Sequence, residues 1–185
     1  MSRIYITFLF FAMLFLPPVA WGQTVAGPDA KLQNNDLYVT FSLGLGEKTI
    51  DALKNGMEKE IRFYIDLFRV WNIWPDEFVL GRSFKKTIKA DPVKKEFIAT
   101  SNDGSVVIEK RFRTFETMLD WVVSFRDLKL TNVRELEPGR YFVRITVESK
   151  IRQLPPVIGY FLVFVSENEF RVVKDSSQFM IEGQK

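Results

Sequence analysis

Two residue types are absent from this chain of 185 residues: it contains no cysteine and no histidine. Without cysteine, it has no disulfide, no thiolate nucleophile and no attachment point for the lipid of a lipoprotein. Without histidine, it has no Ser-His-Asp triad, no histidine general base and no zinc site of the usual ligand type. We therefore expect a hydrophobic core to supply the stability, and we expect no enzymatic activity, no cofactor and no metal site.

A strong excess of one charge is also missing. Lys and Arg number 26 and Asp and Glu number 23, so the formal net charge is +3, and the two signs are interspersed along the chain. This pattern does not indicate a nucleic-acid groove or a strongly anionic partner. The most basic segment, Arg82 to Lys95, is typical of a solvated face. We expect no nucleic-acid partner.

The amino-terminal segment has the three-part pattern of a secretory signal. A positive start precedes an apolar run from Ile4 to Leu16, which is shorter than the about 20 residues that cross a bilayer. Ala20 and Gly22 have the spacing that a signal peptidase recognises and place cleavage before Gln23. We expect residues 1–22 to be a signal peptide and the protein to be exported, to the periplasm. The alternative is an uncleaved segment that anchors the domain to the membrane.

Beyond the signal, the sequence predicts one β-rich domain of ordinary size. The segment 23–36 is small and polar, so it is predicted to be a flexible leader. The domain is predicted to span 37–181, followed by a tail at 182–185. Its predicted fold class is α+β, with a mainly antiparallel sheet or sandwich and two short amphipathic helices. Whether the strands form one layer or two stays open.

Period-two alternation of apolar residues predicts the strands. It is clearest from Leu37 to Leu45 and from Glu60 to Trp71. In the strand from Phe78 to Ile88, Arg82 and Lys86 interrupt the apolar positions, and these charges predict a partly exposed or edge strand. Two hairpins are predicted: Phe97–Thr100 with Ser105–Arg111 around Asn102-Asp103-Gly104, and Leu128–Leu136 with Arg140–Lys150. A buried strand is predicted at Val157–Val165, and a final strand from Phe170.

Two segments have the apolar spacing of amphipathic helices. The first runs from Glu47 to Met57, with Ile50 and Leu53 on its apolar face. The second begins after Thr114, a good N-cap because its hydroxyl can accept a hydrogen bond from a first-turn amide. Most connections between strands are too short for parallel crossovers, so antiparallel pairing is predicted.

Several motifs follow one another in a recognisable order. They are an aromatic strand ending in a tryptophan corner (Phe63 to Trp74), a helix opened by Thr114-Phe115, a strand from Pro138 to Arg144, and Leu154-Pro155-Pro156. In this order the sequence resembles a family of small exported bacterial proteins known only as a domain of unknown function, often encoded beside a nitrogen-regulation-type sensor kinase. The resemblance covers Leu37 to Ile181. It implies a location in the cell envelope and carries over no activity and no catalytic residue.

Two groups of residues are candidate contacts for a ligand or a partner. Trp71 and Trp74 stand in a turn, and a tryptophan offers a large flat apolar face with one polar group. They either contact a ligand or cap the end of a sandwich. Leu154, Pro155 and Pro156 form a stiff extended segment, which is either a docking edge or a linker into the next strand.

Three functions compete for this domain. The favoured one is a non-enzymatic exported protein that binds an envelope protein or a membrane-protein ectodomain, and it predicts an exposed apolar patch of roughly a few hundred Å². The alternative is a carrier of an apolar small molecule or lipid, which requires an enclosed cavity of at least about 300 Å³. The remote alternative is a carboxylate-based hydrolase that uses Glu60 with Asp66, or Glu116 with Asp120.

Overall fold

The computed structural model describes residues 22–91, 94, 96–150 and 168–182. Within these residues the chain forms ten strands, two α-helices and one short 3-10 helix at Val133–Glu135. The helices are α1 (Glu47–Lys54) and α2 (Phe115–Val123). The strands are β1 (Thr24–Gln33), β2 (Asp36–Gly44), β3 (Lys59–Arg69), β4 (Glu77–Asp91), β5 (Glu96–Asn102), β6 (Val107–Phe112), β7 (Ser124–Asn132), β8 (Gly139–Lys150), β9 (Asn168–Asp175) and β10 (Phe179–Ile181).

The strands form two antiparallel sheets. The small sheet has the order β1-β2-β7, and the large sheet has the order β10-β8-β3-β4-β5-β6, with β9 also paired to β8. Residues of both sheets share one core, so the two sheets are the layers of a sandwich. The predicted α+β class, rich in antiparallel strands with two short helices, is confirmed. No helix in the described part of the chain is long and apolar enough to cross a membrane.

An aromatic cluster joins the two sheets at the centre of the core. The Phe63 ring, on β3, lies 5.0 Å from the Phe125 ring of β7, and Phe125 stacks on Phe41 of β2 at 4.6 Å. Phe63 has no exposed surface. Such ring pairs add about 0.5–1.5 kcal/mol each beyond the apolar area that they bury. The alternation predicted for β2 and β3 is confirmed, since the inward residues of both strands are buried.

The segment 24–33 is a strand, so the predicted flexible leader is wrong. β1 pairs with β2 from Thr24 to Gln33, and Val25 on its inner side is buried. Its small polar residues lie on the solvated side, which is why its composition indicated a leader. The ordered domain therefore begins at Thr24 and not at residue 37.

Gly27 allows β1 to bend beside β2. Its φ is +85°, a region that favours glycine, and a Cβ there would lie 2.9 Å from the carbonyl oxygen of Thr40. We expect Gly27→Ala to lower the free energy of unfolding by about 2 kcal/mol, because it adds backbone strain and a contact with the main chain. Gly56→Ala is the control, since Gly56 has a φ of +86° in open space. Equal losses for both variants in urea unfolding would contradict the contact.

β7 and β8 do not form the predicted hairpin. β7 pairs with β2 in the small sheet, whereas β8 pairs with β3 in the large sheet. The 3-10 helix at Val133–Glu135 carries the chain from one layer to the other, and the Asn132 side chain accepts a hydrogen bond from the amide of Arg134. Glu137-Pro138 therefore connects two sheets, and not two neighbouring strands.

β4 was predicted to be partly exposed or at an edge, and the structure confirms the first alternative and not the second: many of its residues are exposed, but it is an interior strand. It pairs with β3 on one side and with β5 on the other. A bulge at Val79 of β4 changes the register, so that Leu80 lies opposite Leu67 and Phe78 lies opposite Phe68 of β3. A bulge of this kind redirects side chains, and here it places Phe78 on the outer face, where it is 58% exposed.

The predicted hairpin around Asn102-Asp103-Gly104 is confirmed. It joins β5 to β6, with Gly104 at a φ of +93°. The Asp103 carboxylate accepts hydrogen bonds from the amides of Val106 and Ser105, and these bonds lower its pKa from the ordinary value. The Thr114 cap of α2 is also confirmed, because its hydroxyl accepts the Thr117 amide.

Candidate functional site

The loop between β3 and β4 carries an exposed apolar surface at one end of the sandwich. Its exposed fractions are 44% for Trp71, 89% for Ile73 and 75% for Trp74, and Phe78 on the adjoining strand is 58% exposed. We call these four residues the tip surface. A large aromatic side chain has roughly 150–250 Å² of surface area, so the apolar area that the tip surface exposes to solvent is on the order of several hundred Å².

Polar contacts fasten the base of this loop to the next strand. The amide of Val70 donates to the carbonyl oxygen of Arg140 at 2.8 Å, and the Arg140 guanidinium donates to the Asn72 side chain. Arg69 forms an ion pair with Glu137. The loop that carries the tip surface is therefore anchored at its base by these polar contacts.

Trp71 is held at the base of the loop, whereas Trp74 is not. The Arg69 guanidinium lies 4.8 Å from the centre of the Trp71 ring, and the Trp71 indole donates to the Glu77 carboxylate at 3.1 Å. Trp74 and Ile73 are more exposed than Trp71 and form the outermost part of the tip surface. Both tryptophans lie outside the core, and neither is buried beneath other residues.

A second aromatic group continues from Phe78 along the outer face of the large sheet. The Phe68 ring meets Phe78 edge-on at 5.9 Å and stacks on Phe142 at 5.4 Å. The Arg144 guanidinium lies 5.0 Å from Phe68, and both of its hydrogen bonds to Asp175 are shorter than 3 Å. Asp66 lies on this outer face too, and burial raises the pKa of its carboxyl group.

The other candidate contacts, Leu154, Pro155 and Pro156, lie outside the described residues, as does the predicted strand at 157–165. β8 runs from Gly139, beside the tip surface, to Lys150, the last described residue before that segment.

A groove lies on the opposite side of the large sheet, where that sheet extends beyond the small one. β7 is the edge strand of the small sheet, and α2 lies beside it above β5 and β6. The groove between them has a volume of about 540 Å³ and opens to solvent. Its walls are mainly apolar and aromatic, and it is lined by Phe84, Lys86, Ser101, Ile108, Phe112, Thr117, Asp120, Trp121, Ser124, Phe125, Arg126 and Leu128.

Lys86 lies buried in the wall of this groove, although its side chain carries a charge. It is only 5% exposed. Its Nζ donates to the carbonyl oxygen of Trp121 at 2.8 Å and lies 4.0 Å from the centre of the Phe125 ring. The rings of Trp121 and Phe63 lie 5.1 and 5.7 Å from the same atom. The ammonium group is therefore surrounded by aromatic faces.

Burial lowers the pKa of Lys86 from 10.5 to about 8. Among the described residues, no carboxylate forms an ion pair with it that would offset this effect. The nearest acidic side chain of the groove, Asp120, accepts hydrogen bonds from Arg126 and Ser124. Lys110, on β6, lies 5.4 Å from the Trp121 ring, so the charges around the groove are predominantly positive.

The sequence carried a signal for Lys86 that was misinterpreted. Lys86 stands between Phe84 and Ile88 on the apolar side of β4, and the pairing with Ile61 of β3 confirms that it faces inward. A charge at an apolar position of a strand indicates either solvent exposure or a buried cation. A partly exposed or edge strand was predicted, and Lys86 was not identified as a buried cation. Arg82 also faces this side, and its guanidinium donates to the carbonyl oxygen of Lys129 on β7 at 2.9 Å.

The family model described as Domain of unknown function (DUF4390) matches residues 26–176, more than half of the chain. The chain belongs to the DUF4390 family. The match begins inside β1 and includes the tip surface, the groove and the segment 154–156, so all candidate contacts lie in the DUF4390 domain. It also starts earlier than the resemblance, which was expected from Leu37. The searches of curated proteins and of solved structures found no match.

One member of each acidic pair considered for hydrolysis is engaged in a structural contact in this DUF4390 domain. Glu60 accepts a hydrogen bond from Arg62 at 2.8 Å, and Asp120 is held by Arg126 at 3.0 Å. Asp66 lies six residues from Glu60 along the same strand, which separates the two by roughly 20 Å at the rise of a β-strand. Among the described residues, no group of three or more acidic side chains is placed to hold a metal ion.

Proposed function

We propose that this protein is exported to the periplasm and acts there without enzymatic activity, by binding an envelope protein through the tip surface. The observation that carries the proposal is the exposure of Ile73 and Trp74, 89% and 75%, on a loop whose base is tied down. The partner is a periplasmic protein or the ectodomain of a membrane protein.

The energetics of exposed apolar area favour a binding role for the tip surface. Single exposed apolar residues are common on proteins, but neighbouring large ones mark interaction sites. Tryptophan and arginine are also the residues that most often dominate binding energy at interfaces. Here Trp71, Trp74, Arg69 and Arg140 belong to one loop and its support, so the loop has the composition of an interface centre.

The tied base also favours binding, because it limits the entropy that is lost when a loop becomes ordered. Ordering a side chain at an interface costs about 0.5–1.5 kcal/mol. The contacts of Arg69 with Glu137 and of Arg140 with Asn72 place this cost in folding and not in binding. A partner therefore meets a loop whose base is already ordered.

Export is supported by the amino-terminal pattern and by the position of β1. Cleavage before Gln23 leaves β1 intact, since β1 begins at Thr24. We expect the protein in the periplasmic fraction to begin at Gln23. Amino-terminal sequencing of that fraction measures this, and a protein that is retained in the membrane with residues 1–22 attached would support the anchored alternative.

Partner binding is tested with a double variant of the tip surface, Ile73→Ser with Trp74→Ser. We expect a partner captured by the wild-type protein in crosslinked cells to bind the variant at least about tenfold more weakly, because hot-spot truncations cost 2 kcal/mol or more. Val107→Ser is the matched control, because Val107 is 65% exposed on the far edge strand β6. Equal affinity of the double variant and the wild type for the purified partner would reject the tip surface.

A further inference from the structure

The groove beside α2 has the features of a ligand site, and it lies apart from the tip surface. Its volume of about 540 Å³ falls within the roughly 300–1,000 Å³ typical of small-molecule sites. Such sites are mainly apolar, with a few polar groups that fix the orientation of the ligand. The groove matches this description, with aromatic walls and one buried ammonium group.

The Lys86 ammonium group has hydrogen-bonding capacity that an anion could use. An ammonium group has three N–H donors, and one of these is used by the carbonyl oxygen of Trp121. A buried charge is normally paired with an opposite charge. Here its other neighbours are the aromatic faces of Phe125, Trp121 and Phe63, which attract a cation more weakly than a carboxylate does.

The groups at the rim are mainly basic, and two of them have an acidic neighbour: Arg126 pairs with Asp120, and Arg82 lies 4.0 Å from Asp103. Lys110 lies beside Trp121, Arg126 flanks the groove, and Arg82 lies over Phe84 at 5.5 Å. The single carboxylate among the lining residues, Asp120, is neutralised by Arg126. A ligand that complements this site is therefore apolar over most of its length and negative at one end.

We propose that the groove binds an apolar monocarboxylate, with its hydrocarbon part against Phe84, Phe112 and Leu128 and its carboxylate beside the Lys86 ammonium. This ligand site is independent of the proposed partner surface, because the groove lies on the inner side of the large sheet and the tip surface lies at the end of β3 and β4.

The probe for this site is dodecanoate, compared with dodecan-1-ol as its uncharged counterpart. Trp121 reports binding from inside the groove, and it is the sole tryptophan when Trp21→Phe, Trp71→Phe and Trp74→Phe are combined, since the chain has four tryptophans. We expect saturable changes in Trp121 emission below the micellar concentration. Dodecanoate is expected to bind at least about tenfold more tightly than dodecan-1-ol, which corresponds to a difference in binding free energy of about 1.4 kcal/mol.

Lys86→Met removes the charge and keeps the length of the side chain. We expect this variant to lose the preference for dodecanoate, so that both probes bind with similar affinity. Lys85→Met removes the same charge from the outer side of β4, where Lys85 is exposed, and we expect it to bind as the wild type does. Ile108→Glu, at a groove residue that is 47% exposed, is expected to weaken dodecanoate binding by repulsion and lost apolar contact.

The pH dependence gives a second measurement. Lys86 lies against Trp121 of α2, Phe125 of β7 and Phe63 of β3, and it pairs with Ser101 of β5. The charged groups around these are Asp120, Arg126, Lys110 and Arg82, and Arg82 lies 4.0 Å from Asp103. Of the groove groups, Lys86 is the one with a pKa of about 8, so dodecanoate affinity falls by up to about tenfold per pH unit above that value. Lys86→Met removes this dependence. No saturable binding, or an unchanged preference for dodecanoate in Lys86→Met, would overturn the proposal.

Discussion

Replacing Lys86 by methionine raises the free energy of unfolding by about 2 kcal/mol at pH 7. The reason is that the ammonium group is 5% exposed, and burial lowers its pKa from 10.5 to about 8, which corresponds to a cost of roughly 3 kcal/mol for the charged form in the folded state. The hydrogen bond to Trp121 and the aromatic faces offset part of the burial cost. Chemical unfolding of the wild type and the variant measures the difference.

The same comparison has a definite dependence on pH. The folded-state pKa of Lys86 is lowered to about 8, whereas that of the unfolded chain is 10.5. Below pH 8 both states are protonated and the burial cost is fully present. Between pH 8 and 10.5 the unfolded state binds more protons, so the wild type gains stability as the pH rises. The advantage of Lys86→Met therefore shrinks over this range.

Lys85→Met is the control for this result. Lys85 is on the same strand but is exposed on the outer face, so its loss changes stability by less than about 0.5 kcal/mol. A large destabilisation by Lys86→Met, or a difference that does not vary between pH 7 and 10, would contradict a buried charged lysine.

Replacing Phe63 by alanine lowers the free energy of unfolding by about 3–5 kcal/mol, the usual cost of removing a buried aromatic side chain. Phe63 has no exposed surface, and its ring contacts those of Phe41 and Phe125 from the opposite sheet. Its loss therefore leaves a cavity at the junction of the two layers. Urea unfolding with a constant slope measures the effect.

Phe78→Ala is the matched comparison for Phe63. Both are phenylalanines in strands of the large sheet, but Phe78 is 58% exposed and makes its ring contact with Phe68 on the outer face. We expect its loss to cost about 1 kcal/mol or less. Similar losses for the two variants would show that the bulge in β4 does not direct Phe78 outward.

Both helices and most of the strands were predictable, because they are recorded in local periodicity, whereas β1 was not. The alternation of Leu37, Val39 and Phe41 identifies β2 and its buried side, and Thr114 identifies the start of α2. These features depend on residues close in sequence. They required no knowledge of which strands pair.

The partition of strands between two sheets was not predictable, because it depends on residues far apart in the chain. Glu137-Pro138-Gly139 has the composition of a hairpin turn, but β7 and β8 pair with different partners. β1 has few apolar residues, so its sequence lacks the clear period-two alternation that would have predicted a strand paired with β2. The bulge that turns Phe78 outward depends on the register of β3 against β4.

The candidate site was predicted in part. Trp71 and Trp74 were singled out, and the structure places them in one exposed loop, but the contribution of Ile73 and Phe78 and the ties to Arg140 depend on tertiary contacts. The groove was not predictable, because its walls come from β4, β5, β6, β7 and α2. The sequence showed Lys86 only as a charge at an apolar position of a strand. Its tertiary neighbours, which the sequence does not reveal, show that it is a buried cation.

The most direct measurement of partner binding is site-specific photo-crosslinking in living cells. The photoreactive residue p-benzoylphenylalanine replaces Ile73 in one strain and Val107 in another; both positions are exposed, the first in the loop between β3 and β4 and the second on the edge strand β6. We predict one discrete crosslinked envelope protein from position 73, lost when Trp74 is also replaced by serine, and none from position 107. The absence of a crosslink at 73, or the same products from both positions, would contradict a binding role for the tip surface.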